Sequence, residues 1–329
     1  MMSSQTIIRR FQMVILGSSA LLWAVVSWGA WRQPDSWAAI LILPRWLWLI
    51  TGVALACCGW NQRMRWWFAG VMALWLVFAV AFVEETASVV RLPVTPVASG
   101  VPVRVVSLNC DCGRTNAAAE VETFAPEIVL LQEIPWPRDV EKLCRQLYGA
   151  AGSFVCGKDT AILVRGTLEP REVPRPWNLH FAQARAHLEN GGEVEIVSLR
   201  LRPYDIREDF WNADCRCEQA IVRGCHREAL EWLTRQIAAI PADVPVIVGG
   251  DFNMQGRDRL LQCLNPRLTD AFTVAGQGLG NTLVNDFPFV RIDQVWTSAH
   301  FAAVRVVAHR TEHSDHRMVV ADLISTRKP

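Results

Sequence analysis

The chain has 329 residues, of which 51% are hydrophobic, and 33 basic and 32 acidic residues give it a formal net charge of +1. This length allows one large domain and an accessory segment. The first hundred residues hold seven basic and three acidic residues, which leaves 26 basic and 29 acidic residues, or a net charge of −3, for the remainder. That charge excludes the strongly basic surface of a protein that coats nucleic acid non-specifically, although a nucleic-acid substrate stays open.

Three apolar stretches occupy the amino-terminal part of the chain. The run 11–31 is uncharged over 21 residues, which is enough for a helix to cross a bilayer about 30 Å thick. The second stretch, 38–60, is interrupted by Pro44-Arg45, and the third, 66–83, is uncharged over 18 residues. About three transmembrane helices within residues 1–90 are the plainest interpretation. A shallow or re-entrant second segment and a cleaved leader at the first are the alternatives.

The arginines near these stretches predict their orientation. Arg9 and Arg10 precede the first stretch, and Arg63 and Arg65 lie between the second and third. Because cytoplasmic loops carry excess positive charge, the amino terminus and this loop are expected inside the cell. With three crossings, the chain is a multi-pass membrane protein whose carboxy-terminal domain lies outside the cytoplasm.

Residues 91–102 contain three prolines with Ser and Gly near their end, which predicts an extended linker. From 103 to 326, short β-branched runs alternate with helical patterns, which predicts one mixed α/β domain. The predicted strands are 103–108, 127–131, 161–164, 194–199, 245–248, 292–296, 304–307 and 318–323, and the predicted helices are 116–124, 137–148 and 225–240. The eight cysteines after residue 100 are an even number, which is compatible with disulfides, and buried free thiols are the alternative.

Polar side chains cluster at the ends of several predicted strands. Polar groups displayed at the ends of a rigid sheet can converge on one cleft. Taken singly, each has a structural explanation as a turn, surface or capping residue. Together they predict a functional site, and they are Asn109, Asp111, Gln132, Glu133, Asp251, Asn253, Ser314, Asp315 and His316.

These residues belong to sequence blocks that resemble the endonuclease/exonuclease/phosphatase superfamily. Five blocks match in the family's order, over almost all of the chain from residue 103 to 324. The resemblance implies a four-layer α/β/β/α sandwich of two mixed β-sheets flanked by helices, here preceded by a transmembrane helical segment. It also implies a metal-dependent phosphoric ester hydrolase. The blocks are Ser-Leu-Asn109-Cys-Asp111, Leu-Leu-Gln132-Glu133, Gly-Gly-Asp251-Phe-Asn253, Arg291-Ile-Asp293-Gln-Val-Trp and His313-Ser-Asp315-His316.

The resemblance further implies a metal site. Hydrolysis of a phosphate ester requires a cation that neutralises developing charge, and Mg²⁺ prefers oxygen ligands. By resemblance, Glu133 is the principal ligand of Mg²⁺, with Asn109 and Asp111 beside it and Asp315 near the metal. Mn²⁺ is the expected substitute.

Catalytic roles follow from the same resemblance. Asp251 is expected to orient or deprotonate the attacking water. Asn253 and His316 are expected to hold the phosphoryl oxygens, and Asp293 to fix the imidazole of His316. The substrate is a phosphate ester that the sequence leaves undecided between a nucleic acid and a lipid or inositol headgroup. No obligate protein partner is evident from the sequence.

One position departs from the family pattern. After the strand 194–199 the family has an Asn-x-His-Leu block whose histidine contacts the phosphate, whereas this chain has Ser198-Leu-Arg200-Leu. An arginine can hold a phosphate through two N–H groups, so Arg200 is predicted to take the place of the histidine in catalysis. The substitution also supports the alternative function, a catalytically silent module that binds a phosphorylated ligand.

Overall fold

A computed structural model describes residues 4–94, 100–190, 192–205, 207, 209 and 211–326 of the chain. The chain divides into two compact units, residues 1–87 with 206–221 and residues 88–205 with 222–329. Part of the predicted linker, 95–99, lies outside the described residues. At its start, Arg91 donates hydrogen bonds to the carbonyl oxygens of Phe272 and Gly276 at 2.6 and 2.9 Å, both in the second unit. The boundaries 1–90, 91–102 and 103–326 stay predictions.

The described residues contain nine α-helices and eleven β-strands. The helices are α1 (Ser4–Arg32), α2 (Ala38–Leu41), α3 (Arg45–Cys58), α4 (Arg65–Phe82), α5 (Glu84–Val89), α6 (Thr115–Ala119), α7 (Pro137–Tyr148), α8 (Ala213–Ala239) and α9 (Ala271–Ala275). The strands are β1 (Val101–Asn109), β2 (Ile128–Gln132), β3 (Gly152–Cys156), β4 (Thr160–Pro170), β5 (Phe181–Leu188), β6 (Glu193–Arg200), β7 (Val246–Asp251), β8 (Leu268–Asp270), β9 (Asp293–Ser298), β10 (Phe301–His309) and β11 (Met318–Ser325).

In the first unit, α1, α3 and α4 pack against one another. α3 and α4 approach closely at Gly52, where an added Cβ would lie 1.8 Å from the ring of Trp75. Ser19 donates a hydrogen bond to the carbonyl oxygen of Gly52 at 2.7 Å and accepts one from the indole of Trp75 at 3.0 Å. Small residues and such internal hydrogen bonds are typical of helix contacts inside a bilayer.

Two helices of this unit, 6–32 and 62–82, are long and apolar enough to cross a membrane. A third crossing is formed if the bent pair α2–α3, whose axes differ by 74°, counts as one span. The break falls at the predicted Pro44-Arg45 interruption, where a proline cannot continue α2. Two or three crossings are therefore compatible with the helices, by length and composition.

The second unit consists of two mixed β-sheets that share β4. The first half of β4 pairs with β2 and β3, and its second half pairs with β5. The order is β10-β11-β1-β2-β4 in one sheet, with β3 on the other side of β4, and β4-β5-β6-β7-β9-β8 in the other. The pairs β1–β2 and β6–β7 are parallel, and the remaining pairs are antiparallel.

The strands carry apolar residues on both of their faces. One face of each sheet therefore packs against the other sheet, and the opposite face packs against helices. One buried cluster joins side chains of both sheets, including Val105 and Leu130 of one and Ala184 and Ile247 of the other. A second cluster packs α6 and α7 on the outer face of the first sheet, and a third packs the carboxy-terminal part of α8 on the outer face of the second. The predicted four-layer α/β/β/α sandwich is confirmed.

All eight predicted strands correspond to strands of the structure, and three strands, β3, β5 and β8, were not predicted. The helix expected at 116–124 is α6 followed by a 3₁₀ segment, 120–124, and the helix expected at 225–240 begins earlier, at Ala213. All ten cysteines lie in the described part of the chain, and each is a free thiol there. Free thiols are thus the alternative that the structure supports.

Candidate active site

Four strands end at one edge of the sandwich. β1, β2, β6 and β7 run as two parallel pairs, and they end at Asn109, Gln132, Arg200 and Asp251. Because the two sheets face each other, the carboxyl ends of both parallel pairs meet. The amide nitrogen of Asn109 donates a hydrogen bond to Oδ2 of Asp251 at 3.1 Å, which joins the two sheets at this edge.

Glu133, directly after β2, is the centre of the first group of side chains. Its Oε1 accepts hydrogen bonds from Nδ2 of Asn109 at 3.1 Å and from Nη2 of Arg200 at 2.7 Å. Its Oε2 accepts one from the backbone N–H of Cys112 at 2.8 Å. Burial alone raises the pKa of Glu133, but these hydrogen bonds and the charge of Arg200 outweigh it, so the pKa lies below its ordinary value. Glu133 is therefore ionised at neutral pH.

The backbone around Glu133 is held in an uncommon conformation. Asp111, Cys112 and Glu133 have φ angles of +46°, +58° and +45°. This left-handed region is unfavourable for residues other than glycine and concentrates at functional sites. Here it turns the N–H of Cys112 toward Glu133 and that of Asp111 toward Oδ1 of Asn109, at 3.0 Å.

Asp111 and Asp315 lie at the rim of this group. Asp111 forms an ion pair with Arg114 at 2.8 Å, and Asp315 is exposed. The loop that carries Asp315 is held against β1, because the hydroxyl of Ser314 donates a hydrogen bond to the carbonyl oxygen of Asn109 at 2.7 Å. Partial desolvation and the charges of Asp111 and Glu133 raise the pKa of Asp315, although the charge of His316 opposes them. Asp111, Glu133 and Asp315 offer carboxylate oxygens and Asn109 an amide oxygen, which are the ligand types that a hard divalent cation prefers.

A second group consists of Asp251, Asp293 and His316, all buried, whose ligand atoms lie within 4.8 Å of one another. Asp251 ends β7 and faces Asp293, the first residue of β9, across an antiparallel pair. Nδ1 of His316 lies 2.8 Å from Oδ2 of Asp293. The other oxygen of Asp293, Oδ1, is buried without a hydrogen-bond partner among the described residues, so it remains available to water or a ligand.

The protonation states in this second group follow from burial and charge. Burial and the repulsion of Asp293 raise the pKa of Asp251 to about 7. Burial lowers the pKa of His316, but the carboxylate of Asp293 dominates and the pKa rises to about 10. At neutral pH His316 is an imidazolium, and Asp251 is poised between its charged and neutral forms, as a general base requires.

Asn253 is held against Asp251. Its backbone N–H donates to Oδ1 of Asp251 at 2.9 Å, and its Nδ2 donates to Oδ2 of Asp251 at 3.1 Å and to the carbonyl oxygen of Leu201 at 2.8 Å. The φ angle of Asn253 is +49°, a conformation that asparagine tolerates better than most residues. The predicted catalytic residues Asp251, Asn253, Asp293 and His316 are therefore brought together.

Arg200 also contacts a residue that sequence reasoning missed. Its Nη1 donates to Oδ2 of Asp159 at 2.7 Å, opposite the contact of Nη2 with Glu133. Asp159 lies in the turn between β3 and β4, and one turn aspartate carries no motif that could have identified it. Thr311 was also missed, and its hydroxyl donates to the carbonyl oxygen of His316 at 2.7 Å.

The structure of the chain is similar to several solved protein structures. An endonuclease/exonuclease/phosphatase family protein from Bacteroides thetaiotaomicron has a TM-score of 0.54 and 14% identity, over 70% of this chain and 100% of that chain. A protein described as endonuclease/exonuclease/phosphatase from Beutenbergia cavernae gives 0.52 and 16%, over 68% and 72% of the two chains. Truncated TDP2 from Caenorhabditis elegans gives 0.50 and 19%, over 68% and 98%. At these identities the similarity shows the fold alone.

No curated protein matches the sequence. A family model described as Endonuclease/Exonuclease/phosphatase family matches residues 106–316, well over half of the chain. The matched region contains every predicted site residue. The match confirms the predicted enzyme class, metal-dependent phosphoric ester hydrolase, and the chain belongs to the endonuclease/exonuclease/phosphatase family.

Proposed function

We propose that this protein is a membrane-anchored, Mg²⁺-dependent phosphoesterase whose catalytic domain lies outside the cytoplasm. The observation that carries the proposal is the position of Asn109, whose amide nitrogen contacts Glu133 and Asp251 at 3.1 Å each. It connects an ionised carboxylate suited to a cation with a carboxylate suited to accept a proton. A cation site and a general base in one cleft are the two requirements of metal-assisted ester hydrolysis.

The cation would be held by Glu133, with Asn109 and Asp111 beside it and Asp315 at the rim. All four offer oxygen atoms, which favours Mg²⁺ and permits Mn²⁺ as a substitute. When bound, such a cation would neutralise negative charge on the phosphoryl group and polarise one of its oxygens.

The chain's own residues account for the remaining chemistry. Asp251, with a pKa of about 7, would accept a proton from water as the water oxygen bonds to phosphorus and the ester oxygen leaves. Nδ1 of His316 is occupied by Asp293, so Nε2 of the imidazolium would face a phosphoryl oxygen. Asn253 and Arg200 would hold further phosphoryl oxygens.

The first unit supports three membrane crossings. Nη1 of Arg45, at the start of α3, donates to the carbonyl oxygen of Phe82, at the end of α4, at 3.2 Å. Nε2 of Gln12, in the third turn of α1, donates to the carbonyl oxygen of Trp60, just after α3, at 3.0 Å. Because α3 begins beside the end of α4 and is joined to the start of α4 by the short segment 59–64, it runs antiparallel along most of α4. That extent favours a full crossing over a re-entrant loop.

The substrate class is a phosphate ester, and a nucleic acid and a lipid or inositol headgroup are both compatible with the site. The decisive assay uses the full chain in detergent with bis(p-nitrophenyl) phosphate, p-nitrophenyl phosphate, plasmid DNA and a phospholipid panel. Each is run with Mg²⁺, with Mn²⁺ and with EDTA, beside Glu133→Ala and His316→Ala. Metal-dependent turnover that both substitutions abolish is the expected result. A folded protein that binds metal and turns over none of these substrates would favour the binding module instead.

A further inference from the structure

Arg200 forms ion pairs with two carboxylates, only one of which belongs to the proposed cation site. Its guanidinium contacts Oε1 of Glu133 and Oδ2 of Asp159 at 2.7 Å each. Glu133 belongs to the proposed cation site, whereas Asp159 lies outside it. The side chains of Arg200, Glu133 and Asp159 are 23%, 18% and 34% exposed, so water screens these ion pairs less than it screens pairs at the surface.

Oε1 of Glu133 has no free acceptor position. It takes one hydrogen bond from Asn109 and one from Arg200, which matches the two lone pairs of a carboxylate oxygen. A cation can bind this oxygen only if a donor withdraws. A guanidinium that stays beside Glu133 would also repel a divalent cation at the other oxygen.

Of the two donors, Arg200 is the one able to withdraw. Asn109 is fixed because its Nδ2 also contacts Asp251 and its Oδ1 accepts from the backbone of Asp111. Arg200 has a long side chain and a second partner in Asp159. Its Nε has no hydrogen-bond partner among the described residues, so a pivot away from Glu133 breaks one hydrogen bond.

We propose that Arg200 is an internal competitor of the metal ion: its guanidinium and a divalent cation exclude each other at Oε1 of Glu133, and Asp159 positions the withdrawn Arg200. This inference rests on the proposed function in placing the cation at Glu133. Once the cation is bound, the N–H groups of Nη2 of Arg200 are released from Glu133 and can donate to a phosphoryl oxygen. Metal and phosphate therefore favour each other's binding, and the coupling is reciprocal.

The test measures Mn²⁺ binding to the full chain in detergent by calorimetry, without substrate. Arg200→Met removes the competitor and is expected to tighten Mn²⁺ binding about tenfold, the equivalent of one charge-assisted hydrogen bond. Arg200→Lys keeps the positive charge and is the matched control, so its gain in Mn²⁺ affinity should be much smaller than that of Arg200→Met. Unchanged or weaker binding by Arg200→Met would overturn the inference.

Asp159 provides an independent measurement. Asp159→Asn removes the alternative partner, so Arg200 remains on Glu133 and Mn²⁺ binds more weakly, by about threefold or more. In the double variant with Arg200→Met this loss should largely disappear, because no competitor is left. An equal loss in both backgrounds would mean that Asp159 acts through its charge alone, and the positioning role would be wrong.

Inorganic phosphate tests the coupling. Adding it should tighten Mn²⁺ binding more in the unsubstituted chain than in Arg200→Met, and equal gains would overturn the coupling. Glu133→Gln should abolish Mn²⁺ binding in every background, and binding that survives it would overturn both this inference and the proposed cation site. Loss with Glu133→Gln but no gain with Arg200→Met would leave the proposed function standing and reject only the competition.

Discussion

His316 and Asp251 show how burial gives two titratable groups opposite tasks. Both are buried beside Asp293, whose carboxylate charge is buried as well. That charge stabilises the imidazolium of His316 and opposes ionisation of Asp251. The same carboxylate therefore keeps one neighbour protonated and makes the other a stronger base, as the proposed roles of a donor to a phosphoryl oxygen and a general base require.

This separation predicts the pH dependence of the enzyme. A general base must be deprotonated, so kcat/KM should rise as pH increases through about 7, the pKa of Asp251. The imidazolium must be protonated, so kcat/KM should fall as pH increases through about 10, the pKa of His316. The profile is measured with bis(p-nitrophenyl) phosphate at saturating Mg²⁺.

Two substitutions assign the limbs of this profile. Asp293→Asn removes the charge that raises the pKa of His316, so the alkaline limb should move to lower pH. Asp251→Asn should reduce kcat/KM by about a hundredfold or more and remove the acidic limb. An alkaline limb that stays in place in Asp293→Asn would show that another group titrates there.

At the residue scale, the sequence motifs identified the site residues that follow the strands but not Asp159, which contacts one of them from a turn. Glu133, Asp251 and His316 sit beside apolar strands in short recognisable blocks, so their types and order were visible in the sequence. Asp159 was not predicted because its importance comes from the 2.7 Å contact with Arg200, a residue 41 positions away. A single turn aspartate has no local pattern that reports such a partner.

At the element scale, β4 determines how the two sheets are joined. It runs from the first sheet into the second, and Gly166 is the first residue of the part that pairs with β5, opposite Leu188. Gly166 has a φ angle of +143°, and an added Cβ would lie 2.1 Å from the carbonyl oxygen of His187. The change of sheet therefore depends on a backbone position that a side chain cannot occupy.

Gly166→Ala is accordingly expected to destabilise the catalytic unit by at least about 2 kcal/mol, from backbone strain and overlap with β5. Gly149 is the matched control, because its φ angle of +59° is also positive but no atom lies within 4 Å of an added Cβ. Gly149→Ala should cost about 1 kcal/mol. Urea denaturation followed by tryptophan fluorescence measures both, and equal losses would contradict the steric explanation.

The strands that were not predicted share a physical reason. β5 contains three alanines in eight residues, and two of them, Ala184 and Ala186, are completely buried where the sheets approach. Alanine has a low β propensity, so the sequence lacks the usual signal although the position is central. β3 and β8 have five and three residues, too short for an alternating pattern to be distinctive.

At the scale of the whole molecule, the sandwich was predictable from the resemblance, whereas the number of membrane crossings was not. α3 has 14 residues, about 21 Å of helix, which is shorter than the apolar core of a bilayer. The sequence shows an interruption at Pro44-Arg45 but not how α2 and α3 are arranged around it. The contact of Arg45 with Phe82 indicates that α3 runs along most of α4, an arrangement that no local pattern in the sequence reports.

The crossing number decides on which side the catalytic domain lies. Three crossings put the amino terminus and the loop with Arg63 inside and the catalytic domain outside, whereas a re-entrant α3 leaves two crossings and puts that domain inside. A membrane-impermeant maleimide on intact cells distinguishes these cases. We expect it to label Arg138→Cys, whose parent side chain is 83% exposed on α7, and to label Arg63→Cys only after permeabilisation. The unsubstituted chain gives the background from the natural cysteines. Labelling in the reverse order would show that the phosphoesterase faces the cytoplasm and would overturn its proposed location.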